Sequence, residues 1–177
     1  PSFVTVVSGL PRSGTSMMMS ALEAGGLDLL VDEVRVPDEN NPKGYYEYER
    51  VKKLPKGDRD WLDLARGKCV KVVSALLTDL PSDYQYRIIF MKRDIEEILA
   101  SQKRMLERTG NGEQHPIPDE EMRQSYQEHL KEIMVWLTEK DWIRTLFLSY
   151  NELLRQPEAH FNKVADFLEN NVDPKAM

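Results

Sequence analysis

The segment from Gly9 to Ser16, GLPRSGTS, holds residue types that could bind an anion. It follows the apolar run SFVTVV, and Gly9 and Gly14 have the spacing of the phosphate-binding loop GxxxxGK(S/T). Thr15 stands where that loop has its lysine, and Arg12 lies inside the loop instead. A glycine-rich turn between a strand and a helix directs backbone N–H groups and a helix dipole toward an anion. The segment therefore predicts an anion site with an arginine in place of the lysine.

Side chains of the same segment add hydrogen-bond donors. The guanidinium of Arg12 has the planar fork that fits phosphate or sulfate oxygens. Three hydroxyl groups accompany it, those of Ser13, Thr15 and Ser16. Short glycine-rich patterns also occur in plain strand-to-helix turns with a capping serine, so both interpretations stay open for this segment alone.

A second group of charged residues, Lys92, Arg93 and Asp94, follows the apolar run YRIIFM. A kinase or NTPase would need an acidic residue near a strand end to hold Mg²⁺, and Asp94 is the candidate. Because Asp94 comes directly behind two cations, we interpret those cations as aimed at an anion, and we predict no metal site. A sulfuryl group carries one negative charge fewer than a phosphoryl group, so cationic side chains and helix dipoles can stabilise its transfer without metal.

Short apolar segments alternate with helical patterns along the chain. Strands are predicted in FVTVVSG, KCVKVV, YRIIFMKR and IRTLFLSY. Helices are predicted in TSMMMSALEAGG, YYEYERVKKL, DIEEILASQKRMLERTG, DEEMRQSYQEHLKEIMVWLTEK and NELLRQPEAHFNKVADFLEN. This order indicates an α/β fold of the P-loop three-layer type, with a mostly parallel central sheet and helices on both faces. Ligands of such folds bind at the carboxyl ends of the strands, where Gly9–Arg12, Ser74 and Lys92–Arg93 are expected.

The composition predicts one globular domain, residues 1–177, with a net charge of −6. This charge disfavours nucleic acid or an anionic membrane as a partner, so a few local cations and N–H groups must make the anion site. No apolar run has the roughly 20 residues of a membrane span, and no secretory signal is seen. Cys69, the one cysteine, excludes an intramolecular disulfide and fits a reducing compartment, so we expect a cytoplasmic protein.

Two motifs resemble the sulfotransferase superfamily, whose members use 3′-phosphoadenosine 5′-phosphosulfate (PAPS). In that family a loop of the form (P/L)-(K/R)-S-G-T-(T/S) holds the 5′-phosphosulfate, and LPRSGTS at 10–16 matches it. An arginine after a central strand and a serine eight residues later bind the 3′-phosphate, and Arg93 and Ser101 in RDIEEILAS have that spacing. Eight residues are just over two helical turns, which can place both side chains on one side of a helix. Softer matches, NNPKGYYE and YNELLRQPEAHFNKVADFL, extend the resemblance to nearly the whole chain.

The resemblance implies a set of site residues. The cofactor-binding residues would be Pro11, Arg12, Ser13, Gly14, Thr15, Ser16, Arg93 and Ser101. Arg12 would stabilise the transferring group, and Lys71 would lie at a strand end near the bridging oxygen. The acceptor's proton would pass to a glutamate, Glu33 or Glu47, with Asp32 a poorer third candidate.

For two sets of ring side chains, the sequence leaves open whether they pack in the core or belong to the site. The family's usual acceptor-side histidine is unmarked here, and the histidines present are His115, His129 and His160. Aromatic residues that could line an acceptor pocket, or equally pack in the core, are Trp61, Tyr45, Tyr46 and Tyr48.

The implied function is transfer of a sulfuryl group from PAPS to a hydroxyl or amine of a small acceptor, which leaves 3′-phosphoadenosine 5′-phosphate (PAP). Two other functions stay open, a Mg²⁺-dependent P-loop nucleotide kinase or NTPase and a non-catalytic nucleotide-binding module. The glycine-rich, lysine-bearing stretch that closes over the nucleotide in cytosolic members has no counterpart after Tyr150, which favours the non-catalytic alternative. The sequence leaves open the acceptor and whether the chain forms a homo-oligomer.

Overall fold

The computed structural model describes residues 2–32, 44–108 and 117–177. Within them lies a four-stranded sheet made of β1 (Val4–Gly9), β2 (Cys69–Lys71), β3 (Tyr86–Lys92) and β4 (Ile143–Ser149). The strand order is β2-β1-β3-β4, and all three strand pairs are parallel. The predicted strands and the parallel sheet are confirmed, although β2 is shorter than the run KCVKVV that predicted it.

The helices of the described residues follow the strands as the sequence predicts. They are α1 (Thr15–Ala24), α2 (Ile95–Arg108), α3 (Asp119–Glu139), α4 (Tyr150–Arg155) and α5 (Pro157–Phe167). Local signals set their starts: the hydroxyl of Ser149 accepts the N–H of Glu152, and Pro157 occupies the first turn of α5. None of these helices is long and apolar enough to cross a bilayer.

Three further helical segments have 3-10 geometry, Glu49–Lys56, Asp60–Ala65 and Ser74–Asp79. The first corrects the α-helix predicted in YYEYERVKKL, because the backbone is non-helical through Tyr48 and the helix that begins at Glu49 is a 3-10 helix. It contains Pro55, which has no N–H to donate and therefore limits α-helical hydrogen bonding. The other two segments correspond to no predicted element.

Apolar side chains pack on both faces of the sheet, because successive residues of a strand point to opposite faces. Ile88 and Phe90 of β3 belong to a core on the face that α3 and the 3-10 segments cover. Ile89 and Met91 of the same strand belong to the opposite core, with α1, α4 and α5. The predicted three-layer α/β fold is confirmed by this arrangement.

Trp61 lies in the first of these cores and has no solvent exposure. Its ring meets that of Tyr48 edge to face, with 5.5 Å between centroids, and its Nε1 donates to the carbonyl of Asp58 at 3.0 Å. The alternative that Trp61 lines an acceptor pocket is therefore wrong, and its role is packing.

Trp61→Ala should lower the free energy of unfolding by about 3–5 kcal/mol, because it leaves a large cavity in a close-packed core. Leu64→Ala in the same 3-10 segment is the matched control, since Leu64 is 59% exposed. The control should change stability by no more than about 0.5 kcal/mol. Urea unfolding measures both, and similar losses would contradict the assignment of Trp61 to the core.

Candidate active site at the carboxyl ends of the strands

A cavity of about 460 Å³ opens at the carboxyl ends of β1, β2 and β3. The chain leaves β1 toward β2 on one side and later enters β3 on the other, so the crossovers diverge beside β1. Such a switch point leaves a crevice where ligands bind in open α/β sheets. Predicted site residues that line the cavity are Pro11, Arg12, Gly14, Thr15, Ser16, Glu47, Lys71, Arg93 and Ser101.

The loop between β1 and α1 is a tight left-handed turn. Arg12 has φ 69° and Gly14 has φ 100°, and Gly14 is the N-cap of α1. A Cβ atom on Gly14 would lie 2.5 Å from Cδ2 of Tyr150, so the loop backbone packs directly against that ring. Only glycine satisfies both the dihedral angle and this close approach.

Ser13 is the predicted loop residue whose side chain does not line the cavity. It is 1% exposed, its N–H donates to the carbonyl of Leu10 at 3.2 Å, and its hydroxyl lies beneath the loop beside Gly9. In this geometry Ser13 supports the turn, and the hydroxyls that line the cavity are those of Thr15 and Ser16.

The structure brings together Arg12, Arg93 and Ser101, which belong to two separate motifs of the sequence. Nε of Arg12 donates to Oγ of Ser101 at 3.0 Å, and Nη1 of Arg93 donates to the carbonyl oxygen of Arg12 at 3.0 Å. Ser101 lies on α2, and Arg93 lies just before the first turn of that helix. The predicted eight-residue spacing therefore brings both side chains against the loop between β1 and α1. The two motifs therefore form one continuous wall of the cavity.

Three residues around Arg93 were missed by the sequence analysis. Nε of Arg93 donates to Oε2 of Glu97 at 2.8 Å, Nδ2 of Asn151 donates to Oε1 of Glu97 at 2.8 Å, and the guanidinium carbon lies 4.2 Å from the ring centre of Tyr150. The hydrogen bonds from Arg93 and Asn151 lower the pKa of the Glu97 carboxyl below its ordinary value. The i,i+4 spacing of Arg93 and Glu97 in the sequence could have predicted the contact between these two residues.

Lys71 lies at the opposite side of the loop, at the end of β2. Its Nζ is 3.2 Å from Oγ of Ser16 and also donates to the carbonyl oxygen of Tyr45. The ammonium group thus lies at the first turn of α1, where the helix dipole adds to its positive charge.

Of the acidic candidates, Glu47 lines the cavity, and its Oε2 is 3.3 Å from Nζ of Lys52. Asp32 does not line it, and its Oδ2 accepts the N–H of Glu49 at 2.6 Å. Glu33 lies outside the described residues.

The histidines and tyrosines considered as site candidates differ in whether they line the cavity. His129 of α3 has Nε2 2.9 Å from Oγ of Ser74, and partial burial lowers its pKa. His160 of α5 is buried, with Nδ1 2.9 Å from the carbonyl of Gln156. Neither histidine lines the cavity, whereas Tyr45 does, and His115 lies outside the described residues.

Asp94 and Lys92 do not line the cavity. Oδ1 of Asp94 accepts the N–H of Glu96 at 2.8 Å, so this carboxylate caps α2, and both side chains are exposed. Across the described ranges, no three His, Cys, Asp or Glu side chains lie close enough together to hold a metal ion.

The charge of the lining is opposite to that of the chain. Among the described lining residues, Arg12, Lys71 and Arg93 are cationic and Glu47 is the acidic one, while the whole chain has a net charge of −6. The arrangement can therefore attract and hold a multiply charged anion locally.

Comparisons with known proteins identify the family of the chain and a similar fold. The family described as "Sulfotransferase domain" matches residues 4–177. The chain belongs to this sulfotransferase family. The fold is also similar to the crystal structure of an unliganded sugar kinase from Janibacter sp. HTCC2649, with 14% identity, a TM-score of 0.51, and coverage of 99% of this chain and 98% of that one. At this identity the likeness concerns the fold alone. No curated protein sequence matches the chain.

In this sulfotransferase-family chain, Gly14→Ala should lower the free energy of unfolding more than Gly26→Ala does. Both glycines have left-handed φ angles, 100° and 88°, and this costs an alanine about 1–2 kcal/mol. A Cβ on Gly26 meets no atom within 4 Å, whereas one on Gly14 strikes Tyr150, which adds about 1–3 kcal/mol of overpacking. Urea unfolding of both variants measures the difference, and equal losses would show that the loop does not pack tightly on Tyr150.

Proposed function

We propose that the chain transfers a sulfuryl group from PAPS to a hydroxyl or amine of a small acceptor. The observation that carries the proposal is that one cavity is lined by four sets of residues, namely Pro11, Arg12, Gly14, Thr15 and Ser16 of the loop, Lys71, Arg93 and Ser101. Its volume of about 460 Å³ falls in the range of ligand pockets. The lining residues fit the donor, because cations and hydroxyls lie both at the first turn of α1, with Lys71, and beside Arg93 and Ser101, and PAPS carries phosphate at two positions.

The 5′-phosphosulfate would be held by the N–H groups of the first turn of α1, the hydroxyls of Thr15 and Ser16, and the ammonium of Lys71. The 3′-phosphate would be held by Arg93 and Ser101. PAPS supplies an activated sulfuryl group, whose bond to the 5′-phosphate oxygen breaks as its bond to the acceptor oxygen or nitrogen forms. Lys71 and Arg12 would stabilise the negative charge that develops on the transferring and leaving groups.

The proton of the acceptor would pass to a carboxylate. Glu47 is the candidate in the described residues, because it lines the same cavity as Lys71. A base must come within hydrogen-bond reach of the proton that it takes. A residue must line the cavity before it can make such a contact, and Glu47 does so. Glu33 stays a candidate from the sequence.

A nucleotide kinase is the weaker proposal. The carboxylate that would hold Mg²⁺, Asp94, caps α2 and does not line the cavity. The similarity to a sugar kinase supports only the shared fold.

Cys69 is fully buried, 3.5 Å from Sδ of Met19, and burial raises the pKa of its thiol, which supports an inert cysteine. The cytoplasmic location stays our proposal from the single cysteine of the sequence.

PAP should bind in metal-free buffer more tightly than ADP, and Arg93→Ala should remove most of the difference. A charge-assisted hydrogen bond to phosphate contributes roughly 1.5–3 kcal/mol, so the variant should lose about tenfold or more in affinity for PAP. Its affinity for ADP, which has no 3′-phosphate, should hardly change. Calorimetric titration of both nucleotides into the two proteins measures this.

Ser101→Ala should shift the affinities in the same direction by less, because a neutral hydroxyl donor contributes less than a guanidinium. Equal weakening of PAP and ADP in Arg93→Ala would assign Arg93 to the fold or to the 5′ end. Binding of ATP with Mg²⁺ alone would favour the kinase.

Arg12→Ala should reduce turnover far more than it weakens PAP binding. We assign Arg12 to the transferring group, and an interaction made mainly in the transition state is expressed in kcat. A loss of PAP affinity without a loss of turnover would also be informative. The hydrogen bond from Arg12 to Ser101 lies beside the proposed 3′-phosphate subsite, so the Arg12 guanidinium is close enough to serve that subsite instead. Titration of PAP and steady-state rates with PAPS decide the assignment: a loss of affinity with unchanged kcat would assign Arg12 to that subsite.

A further inference from the structure

We propose that Glu97 and Asn151 are positioning residues that fix the guanidinium of Arg93 for the 3′-phosphate and so set the selectivity for a 3′-phosphorylated nucleotide. The inference rests on the function proposed above. Neither residue lines the cavity, so neither would touch the nucleotide.

Three contacts determine the orientation of the Arg93 guanidinium. Within its plane, Nε donates to Oε2 of Glu97 at 2.8 Å and Nη1 donates to the carbonyl oxygen of Arg12 at 3.0 Å. The plane itself is set by the ring of Tyr150, whose centre lies 4.2 Å from the guanidinium carbon. A guanidinium held at two nitrogens and one face cannot rotate without losing a contact.

The remaining nitrogen of Arg93 is left for a ligand. Within residues 2–32, 44–108 and 117–177, no protein acceptor takes the Nη2 hydrogens, and the side chain lines the cavity with 18% exposure. Nη2 and the second hydrogen of Nη1 are fixed donors, and a fixed planar fork favours the tetrahedral oxygens of a phosphate.

Asn151 holds the second carboxylate oxygen of Glu97. Its Nδ2 donates to Oε1 of Glu97 at 2.8 Å across 54 residues of sequence. Asn151 and Tyr150 are neighbours in the first turn of α4, so this one turn supplies the ring beneath Arg93 and the amide behind Glu97. Without Asn151, the half-exposed Glu97 could adopt other rotamers and release Nε of Arg93.

Helix capping alone does not account for Glu97. Both Glu96 and Glu97 lie in the first turn of α2, where either carboxylate interacts favourably with the helix dipole. Glu96 pairs with Arg123 of α3, with Nε 2.5 Å from Oε1, and does not contact Arg93. Glu97 would also repel a bound phosphate, so its benefit to binding must come from the geometry it gives Arg93.

Glu97→Ala should weaken PAP binding about fivefold to tenfold while ADP binding changes less than about twofold, because the loss of a supporting contact misplaces a phosphate ligand. Glu97→Gln should keep the PAP/ADP affinity ratio within about threefold of wild type, because its amide oxygen can still accept from Nε of Arg93. Asn151→Ala should reduce the ratio by less than Glu97→Ala does. Glu96→Ala is the matched control, because it removes the same charge from the same turn. Titration calorimetry of PAP and ADP, with thermal unfolding of each variant, gives all the values.

A lowered PAP/ADP ratio in Glu97→Ala and its rescue in Glu97→Gln would support the inference. An unchanged ratio in Glu97→Ala, an equal fall in Glu96→Ala, or a Glu97→Gln variant as poor as Glu97→Ala would each overturn it. Parallel weakening of both nucleotides with a lower Tm would also overturn it, because Glu97 would then serve the fold. A wild-type protein that binds PAP and ADP equally would overturn the proposed function itself, which distinguishes the two failures.

Discussion

The hydrogen bond from Nη1 of Arg93 to the carbonyl oxygen of Arg12 is the contact on which the site depends. It joins the loop after β1 to the residue that follows β3, at a point where Arg12 has the left-handed φ of 69°. A non-glycine residue in that conformation is strained, so its carbonyl needs an external partner to hold it in place. Because Arg93 supplies that partner, the conformation of the loop after β1 and the position of α2 are set together.

The parallel sheet explains why these groups meet. Met91 of β3 pairs in register with Gly9 of β1, so Arg93 emerges beside the loop two residues later. Val7 pairs with Lys71 on the other side of β1, which brings the ammonium to the same edge. Residues far apart in sequence therefore converge because parallel strands in register end at one edge of the sheet.

The sequence predicted the strands and the loop well, because buried parallel strands appear as short apolar runs and Gly9 and Gly14 mark a tight turn. Its expectation that Arg93 and Ser101 share one side of a helix holds only for Ser101, because α2 begins at Ile95 and Arg93 lies two residues before it. The sequence could not predict the contact of Arg12 with Ser101, 89 residues away, or that of Asn151 with Glu97. Such contacts depend on how helices pack on the sheet, and no local pattern records them. The 3-10 geometry of Glu49–Lys56 and the presence of the other two 3-10 segments were not predicted for a related reason, because such short segments depend on tertiary contacts more than on local propensity.

Two arginines of the site are held in different ways, and this difference bears on function. Arg93 is bonded to a carboxylate, which a bound phosphate would not replace. Arg12 is bonded through its side chain to the neutral hydroxyl of Ser101, and such a bond is weaker than one between charged groups. An anion can therefore draw Arg12 away from Ser101 at small cost, whereas Arg93 keeps its place. A fixed cation suits recognition of a group remote from the reaction, and a movable one suits charge that appears only in the transition state. Under the function proposed above, this difference would let Arg93 supply binding energy at the 3′-phosphate while Arg12 stabilises charge on the transferring group.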